Sequence, residues 1–269
     1  MAQGTTLLRA LLPPLAMRWL RRWRGRTSHF KGNFATWAEA RLASTGNDTT
    51  LILERVLAAT REVRAGRAAF ERDSVLFAQP EANHPLLAGL LYVAARHGGR
   101  LAVADFGGSL GSTYWQHRRW FDSLATVRWC VVEQAHFVAA WRKELTDAHL
   151  GFYPSLAECV AREQPTILLL SSVLSYLEAP QALLAEASQA KFSYILIDRT
   201  PCLEGTPDRL TVQQVPPAIY PASYPCWLFA RSSLLQPLAR DYRQVDEWLN
   251  PDEIDGVSFR GFLFERVTP

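Results

Sequence analysis

Residues 101–116, LAVADFGGSLGSTYWQ, form the stretch that decides the fold. The apolar run Leu101–Ala104 predicts a buried strand, and Asp105 stands at its carboxyl end. The glycine-rich segment Gly107–Gly111 follows, and the residues after it predict a helix. A strand, a glycine turn and a helix in this order open a nucleotide-binding βα unit.

The glycine spacing narrows the kind of nucleotide. In the dinucleotide fingerprint G-x-G-x-x-G the outer glycines lie five positions apart, whereas Gly107 and Gly111 lie four apart with Asp105 two positions earlier. This pattern resembles the first motif of class I S-adenosylmethionine-dependent methyltransferases, acid-x-G-x-G-x-G, with Ser109 in place of the middle glycine. The resemblance implies that Asp105, Gly107, Gly108, Ser109 and Gly111 hold S-adenosylmethionine. A tight turn that binds nothing is the alternative.

The composition is that of a soluble globular chain. The 269 residues suffice for one α/β domain with additions, and 48% of them are hydrophobic. The four cysteines are scattered without a C-x-x-C pair, which favours a reduced, cytoplasmic setting over a thiolate metal site. No H-x-x-x-H pair or carboxylate cluster predicts a metal ion, so we expect none.

Basic residues are concentrated at the N-terminus. Residues 1–31 hold seven of the 29 basic residues and no acidic one, so the remainder carries 22 basic against 26 acidic residues. The remainder has no basic stripe of the kind that binds nucleic acid, and no nucleic-acid partner is expected. In residues 1–26, Trp19 and Trp23 share one helical face among arginines. This arm predicts either peripheral contact with an anionic membrane surface or a poorly ordered leader.

Residues 33–98 predict helices and no strand. We expect three segments: a basic arm over 1–30, a helical cap over 31–83 and an α/β domain over 84–269. Within and beside the cap, the apolar periodicity predicts helices over Phe34–Ser44, Leu51–Arg64, Phe70–Phe77 and Leu86–His97. After the glycine segment, a helix over Tyr114–Ser123 is expected, with Ser112 or Thr113 as its cap. Asp48 or Thr49 is expected to cap the helix Leu51–Arg64, and Ser155 to cap a helix over Leu156–Glu163.

A second acidic residue ends the next predicted strand. Val127–Val132 predicts a strand, and Glu133 follows it, 22 residues after Gly111. A carboxylate in this place can accept hydrogen bonds from both hydroxyls of a ribose. We therefore expect Glu133 to bind the ribose, and a surface residue that starts the next helix is the alternative.

Polar side chains also follow the later strands. The strand Thr166–Leu170 is followed by Ser171 and Ser172, and the strand Tyr194–Ile197 is followed by Asp198. Because ligands of doubly wound sheets lie at the carboxyl ends of the strands, we expect the two serines to bind the donor or the acceptor. Asp198 is the leading candidate for taking a proton from an acceptor hydroxyl.

Three further pairs of residues each have two alternative roles. His84 and His117 are the alternate candidates for the base, and each has a purely structural role as its alternative. Asp198 can instead pair with Arg199. Phe152 and Tyr153, in the predicted strand Leu150–Tyr153, are candidates to flank an adenine, although packing is the expected use of at least one of them.

The C-terminal part completes the predicted sheet. Residues 201–227 predict a long loop whose aromatic residues suit a sugar or a packing arm. Tyr242–Leu249 and Phe259–Val267 predict an antiparallel hairpin with its turn over Asn250–Gly256, and Ser232 or Ser233 is expected to cap the helix before it. The predicted fold is a Rossmann-like, doubly wound α/β sheet of seven mostly parallel strands with this antiparallel C-terminal hairpin, preceded by a helical extension.

The chain also resembles a narrower family, little studied and bacterial, whose members are methyltransferases associated with surface-polysaccharide biosynthesis such as O-antigen or capsule. The phrases that carry this resemblance are Lys31–Phe34 with Trp37, the loop DFGGSLG, Ser171–Leu177, Asp198–Pro201 and Tyr224–Trp227. It implies S-adenosylmethionine as cofactor and O-methylation of a small-molecule or glycan acceptor. An NAD-dependent oxidoreductase or epimerase is one rival, disfavoured by the glycine spacing. A non-catalytic scaffold docked through the basic arm is another.

Overall fold

The computed structural model describes residues 29–46, 49–72, 74–215 and 222–267. Residues 1–28 of the basic arm expected over 1–30 lie outside these ranges, and so does Asp48, one of the two caps expected for the second helix. Within the described ranges, no helix is both long and apolar enough to cross a bilayer.

The described residues contain twelve strands. In chain order they are β1 (Phe30–Phe34), β2 (Phe70–Arg72), β3 (Val75–Phe77), β4 (Arg100–Phe106), β5 (Thr126–Val132), β6 (Leu150–Tyr153), β7 (Ile167–Ser171), β8 (Tyr194–Leu203), β9 (Arg209–Gln214), β10 (Ser223–Ala230), β11 (Tyr242–Ile254) and β12 (Val257–Arg266).

The α-helices alternate with the strands through the middle of the chain. They are α1 (Trp37–Leu42), α2 (Thr49–Arg64), α3 (His84–Arg96), α4 (Ser112–His117), α5 (Ala135–Leu145), α6 (Leu156–Glu163), α7 (Pro180–Gln189) and α8 (Arg231–Leu235). Short 3₁₀ turns cover Arg118–Trp120, Leu174–Tyr176 and Gln236–Leu238.

Five parallel strands form the centre of the molecule, in the order β6-β5-β4-β7-β8. Strand β12 pairs antiparallel with β8, and β11 pairs antiparallel with β12. The predicted α/β fold, a mostly parallel doubly wound sheet with an antiparallel C-terminal hairpin, is therefore confirmed.

Helices cover both faces of this sheet because its strands are apolar on both sides. Val103 and Trp129 face a core that includes side chains of α2, α3, α4 and α5, whereas their neighbours Ala104 and Cys130 face a core that includes α6, α7 and α8. Parallel strands covered on both faces give continuous apolar runs in the sequence, which is why their positions were predictable.

All seven predicted strands are present, and three further strands, β1, β9 and β10, extend the sheet to ten in the described residues. Strand β8 continues through Leu203 instead of ending at Ile197, and the expected long loop over 201–227 contains β9 and β10. Strand β10 pairs in parallel with β8 and antiparallel with β9, and β9 pairs antiparallel with β1. The alternation is short in both strands, Leu210 and Val212 in one and Cys226 and Leu228 in the other, and the surrounding prolines obscure it.

The N-terminal block also contains strands, against the prediction that residues 33–98 hold none. Besides β1, the stretch Phe70–Phe77, expected to be helical, is the hairpin β2–β3. Phe70 and Phe77 are a cross-strand pair with rings stacked 4.4 Å apart. An eight-residue segment is too short for its periodicity to separate a helix from a hairpin.

Two predicted helix caps were wrong, and one was confirmed. Helix α4 is shorter than expected, and its N-cap is Gly111 with φ 84° and no side-chain cap, because the Ser112 hydroxyl bonds to Glu71 instead. Helix α8 begins after Ala230 without a side-chain cap. Helix α6 is capped by Ser155 as predicted, through a 3.1 Å bond from the Glu158 amide.

The C-terminal hairpin is longer than predicted. Strand β11 extends to Ile254, which pairs with Val257, so the turn consists of Asp255 and Gly256 rather than all of 250–256. Both turn residues have left-handed φ, 53° and 77°. An Asp-Gly pair at such a two-residue turn is a strong hairpin signal.

The hairpin leaves no room for a side chain at Gly261. A Cβ atom there would overlap the indole of Trp248, which lies opposite Gly261 in the β11–β12 pair. We expect Gly261→Ala to lower the free energy of unfolding by about 1–3 kcal/mol, the usual cost of overpacking. Denaturant unfolding measures this, with Trp248→Leu as the second background. Because Leu removes the obstructing ring, Gly261→Ala should cost less there, and an equal cost in both backgrounds would contradict the explanation.

Candidate functional site

The glycine segment follows β4 directly and has the backbone shape that glycine favours. Gly107 and Gly111 have φ of 72° and 84°. A Cβ on Gly108 would overlap the carboxyl group of Asp105, and one on Gly107 would lie 2.5 Å from the Cγ2 atom of Val173. The absence of side chains therefore lets the segment approach both Asp105 and the chain that follows β7.

Ser109 keeps the shape of the segment although it is not glycine. Its φ is 55°, in the left-handed region that L residues rarely adopt. Its backbone N–H donates to Glu133 Oε1 over 3.2 Å. The serine that replaces the middle glycine of the resembled motif thus adopts a glycine-like conformation.

Glu133 follows β5 and lies against the glycine segment. Because β4 and β5 pair in parallel, their carboxyl ends are adjacent. The second oxygen of Glu133 accepts from the Gln134 N–H over 3.0 Å. Burial raises the pKa of Glu133, and the two backbone N–H groups lower it. The carboxylate is thereby held in one orientation beside the segment.

Asp105 is buried beneath the same segment. Its Oδ2 atom accepts a 2.9 Å hydrogen bond from the indole N–H of Trp129. Burial raises the pKa of Asp105 to about 7; the Trp129 bond opposes this rise, and the charge of Glu133 adds to it. A buried carboxyl group of this kind favours a nearby positive charge, because a cation would stabilise its ionised form.

Asp198 is fully buried and binds parts of the chain that are far apart in sequence. Its Oδ2 atom accepts from Asn83 Nδ2 over 2.9 Å and from the Ser171 hydroxyl over 3.3 Å. Its Oδ1 atom accepts from Trp248 Nε1 over 3.1 Å and from Asn250 Nδ2 over 3.3 Å. Burial raises the pKa of Asp198, whereas the hydrogen bonds from Trp248, Asn250 and Ser171 and the positive charge of Arg199 lower it.

The two histidine candidates lie in different surroundings. His117 is buried; its Nδ1 atom lies 2.8 Å from the Thr113 carbonyl, and its Nε2 accepts the Asn83 N–H over 3.0 Å. Burial lowers the pKa of His117 to about 4, and the neutral ring thus connects α4 to the start of α3. His84 is an exposed residue at the first position of α3.

A cavity of about 260 Å³ brings most of the predicted site residues together. Gly111, Glu133 and His84 are not among its lining residues in the described part of the chain, although Glu133 contacts the glycine segment. The predicted residues that line it are Asp105, Gly107, Gly108, Ser109, His117, Ser171, Ser172 and Asp198.

The cavity also has lining residues that the sequence reasoning missed. Asn83 was detectable in part, since an asparagine two residues before a proline is a helix N-cap signal, and its Oδ1 does cap α3 at Leu86. Glu71 had no such signal, because it lies on the unpredicted β2–β3 hairpin. The missed lining residues with polar side chains are Glu71, Arg72, Ser74, Asn83, Ser112, Thr113, Gln116 and Arg199.

Backbone strain is concentrated at this cavity. Seven described non-glycine residues have positive φ, and four of them line it: Ser74 (67°), Ser109 (55°), Ser172 (55°) and Arg199 (49°). Such conformations cost of order 1–3 kcal/mol each and cluster at functional sites. This distribution makes the cavity the candidate functional site.

The aromatic residues considered for an adenine are buried. Phe152 and Tyr153 are 2% and 4% exposed. The Tyr153 hydroxyl donates to Glu163, which also forms a 2.6 Å ion pair with Arg128. Both rings therefore pack within the protein, which accords with the expected packing role.

No protein-family model matches the chain, and no curated protein matches it. Among solved structures, it is similar to the Burkholderia thailandensis 1,6-didemethyltoxoflavin-N1-methyltransferase with bound 1,6-didemethyltoxoflavin and S-adenosylhomocysteine, at 16% identity and a TM-score of 0.48, over 88% of this chain and 93% of that one. It is also similar to the Synechocystis magnesium protoporphyrin IX methyltransferase with S-adenosylhomocysteine, at 11% identity and a TM-score of 0.46, over 97% and 99% of the two chains. The glycopeptide N-methyltransferase MtfA with sinefungin follows at 15% and 0.45, over 67% and 92%. At these sequence identities and TM-scores, the similarity assigns neither a family nor a ligand to this chain.

The raised pKa of Asp105 gives a stability test. The unfolded chain loses this proton near its usual pKa of 3.8, whereas the folded chain keeps it to about pH 7. The free energy of unfolding therefore falls by on the order of 4 kcal/mol as pH rises from the unfolded-state pKa to the folded-state pKa. The Asp105→Asn side chain cannot ionise and still accepts the hydrogen bond from Trp129. The variant should therefore have a higher melting temperature than the wild type at pH 8, and the difference should be smaller at pH 5.

Thermal unfolding at the two pH values measures the difference, with Asp122→Asn, an exposed position, as control. The control should show no pH-dependent difference. A gap for Asp105→Asn that is the same at pH 5 and pH 8 would contradict the assigned pKa.

Proposed function

We propose that this protein is an S-adenosylmethionine-dependent methyltransferase that methylates a hydroxyl group of a polar small molecule or glycan. The observation that carries the proposal is the glycine segment, with left-handed φ at Gly107, Ser109 and Gly111, lying between the carboxyl groups of Asp105 and Glu133. It stands at the carboxyl edge of a doubly wound sheet, where such folds bind nucleoside ligands.

The residues present suit each part of this cofactor. The glycine segment would hold the methionine part, and Glu133 would accept hydrogen bonds from the ribose hydroxyls. Asp105, buried and unusually basic, would be stabilised in its ionised form by the cofactor's positive charges. When bound, the cofactor would supply an electrophilic methyl group for the acceptor oxygen, and its sulfur would keep the electron pair of the broken bond.

The other side of the cavity is suited to a hydroxylated acceptor. Among the described lining residues, Val56 and Leu86 are the apolar side chains, and the others are polar, charged or glycine. Ser171 and Ser172 supply hydroxyl groups at the end of β7. Alignment of the acceptor oxygen with the methyl group is the main contribution that such a displacement needs from the protein.

Within this proposal, Asp198 takes the proton of the acceptor hydroxyl. It lines the cavity, and burial raises its pKa toward the range in which a carboxylate is an effective base. The His117 ring has both nitrogens in contact with backbone groups, which supports a positioning role for it. His84, being exposed, remains a weaker alternate.

The proposed pathway, location and membrane contact come from the resemblance to the bacterial methyltransferase family. Surface-polysaccharide biosynthesis as the pathway, a cytoplasmic location and peripheral membrane contact through residues 1–26 are part of the proposal on that basis. A glycan acceptor accords with the polar lining of the cavity.

Cofactor binding is the first test. We expect S-adenosylhomocysteine to bind the wild type in calorimetric titration and Glu133→Gln to weaken binding at least tenfold, because the amide loses one acceptor for the ribose. Glu186→Gln, on the exposed side of α7, is the matched control and should bind as the wild type does. Binding of NAD instead would favour an oxidoreductase, and binding of neither ligand would favour a non-catalytic scaffold.

The role of Asp198 is tested by its pH dependence. Transfer of radiolabelled methyl groups from S-adenosylmethionine to a bacterial cell extract supplies the rate. A base must be ionised, so the rate should fall as pH falls through the pKa of Asp198. Asp198→Asn should lower the rate at least 100-fold and leave S-adenosylhomocysteine affinity within about threefold. The control is Asn250→Ser, which removes the amide donor to Asp198 and keeps the carboxylate. An Asp198→Asn variant that retains a tenth of the rate would exclude the base role.

A further inference from the structure

Strand β8 contains a bulge beside the cavity. The β8–β12 pairing changes register between Phe262 and Arg260, so that Asp198 and Arg199 of β8 together lie opposite Gly261. Arg199 has a φ of 49°. Successive side chains of a regular strand point to opposite faces, whereas Asp198 and Arg199 both line the cavity. The bulge therefore adds a guanidinium group to the wall that the carboxylate already occupies.

A second arginine enters the cavity wall from a distant part of the chain. Arg72 stands at the end of β2, and its guanidinium carbon lies 5.8 Å and 5.7 Å from the ring centres of Phe70 and Phe77. Those stacked rings give the guanidinium a cation–π surface. Its charge reaches the cavity: burial is the main cause of the low pKa of His117, and Arg72 lowers it further.

Solvent reaches the positive groups of this cavity more than the negative ones. The carboxyl groups of Glu71, Asp105 and Asp198 are at most 1% exposed. Arg72 and Arg199 are half-buried. Of the charged groups in this wall, the two guanidinium groups are therefore the ones more accessible to a ligand that enters.

We propose that Arg72 and Arg199 bind an oxyanion, a phosphate or a carboxylate, carried by the acceptor whose hydroxyl group is methylated. This inference rests on the proposed methyltransferase function and names its substrate class. Guanidinium groups are well suited to both oxyanions, since their planar N–H donors match the spacing of the oxygens. Held at a charged group away from the reacting hydroxyl, the acceptor has fewer orientations available, and this remote binding aligns the oxygen with the methyl group.

The test is a set of titrations on the full chain saturated with S-adenosylhomocysteine, at constant ionic strength. The probes are glucose 1-phosphate, glucuronate and glucose, so that phosphate, carboxylate and neutral sugar are compared directly. We expect at least one anionic sugar to bind ten or more times as tightly as glucose. Arg72→Gln and Arg199→Gln should each reduce that preference at least fivefold, and Arg199→Lys should retain more of it than Arg199→Gln. Arg162→Gln, an exposed arginine of α6, is the control and should leave it unchanged.

The outcomes separate the two proposals. Preference for the phosphate or for the carboxylate supports the oxyanion site and identifies which of the two groups the acceptor carries. Equal binding of anionic and neutral sugars, binding of no anionic sugar, or an unchanged preference in both arginine variants overturns it. S-adenosylhomocysteine affinity is measured in every variant and should stay within about threefold of the wild type. If that ligand does not bind at all, the proposed function fails, and the same titrations on the protein alone decide the oxyanion site independently.

Discussion

The carboxyl group of Asp198 is the contact on which the site depends. It is fully buried, and it accepts hydrogen bonds from Asn83, Ser171, Trp248 and Asn250. These donors belong to the start of α3, the end of β7 and strand β11. Without the carboxylate, four donors would lose their acceptor in a buried place, and each loss is costly. One side chain thereby fixes how the N-terminal helices, the parallel sheet and the C-terminal hairpin meet around the cavity.

The parallel core brings the remaining polar groups to the same edge. Strands β5, β4 and β7 are consecutive neighbours in the sheet, so Glu133, Asp105 and Ser171 come from adjacent strand ends. Asp198, within β8, lies beside Ser171 in the β7–β8 pair. These positions could be predicted, because strands buried on both faces appear as apolar runs and each run ends in a polar residue. The φ of 55° at Ser109 gives this residue a backbone conformation that glycine adopts more readily than other residues.

What the sequence did not reveal depends on pairing between distant segments. Glu71 meets Ser112 across 41 positions, and Asn83 meets Asp198 across 115. No local periodicity encodes such contacts, and the β2–β3 hairpin that carries Glu71 is too short to be told from a helical turn. Strands β9 and β10 were hidden for a related reason, since short alternating stretches next to prolines are typical of loops as well.

The bulge at Asp198 and Arg199 has a consequence for any relative of this chain that differs in length there. A chain one residue shorter between Ile197 and Thr200 would pair regularly with β12, and neighbouring side chains would again alternate between faces. It would then present either the carboxylate of Asp198 or the guanidinium of Arg199 to the cavity, not both. The number of residues in this short stretch, and not their identity alone, accordingly decides whether both groups can reach the same ligand.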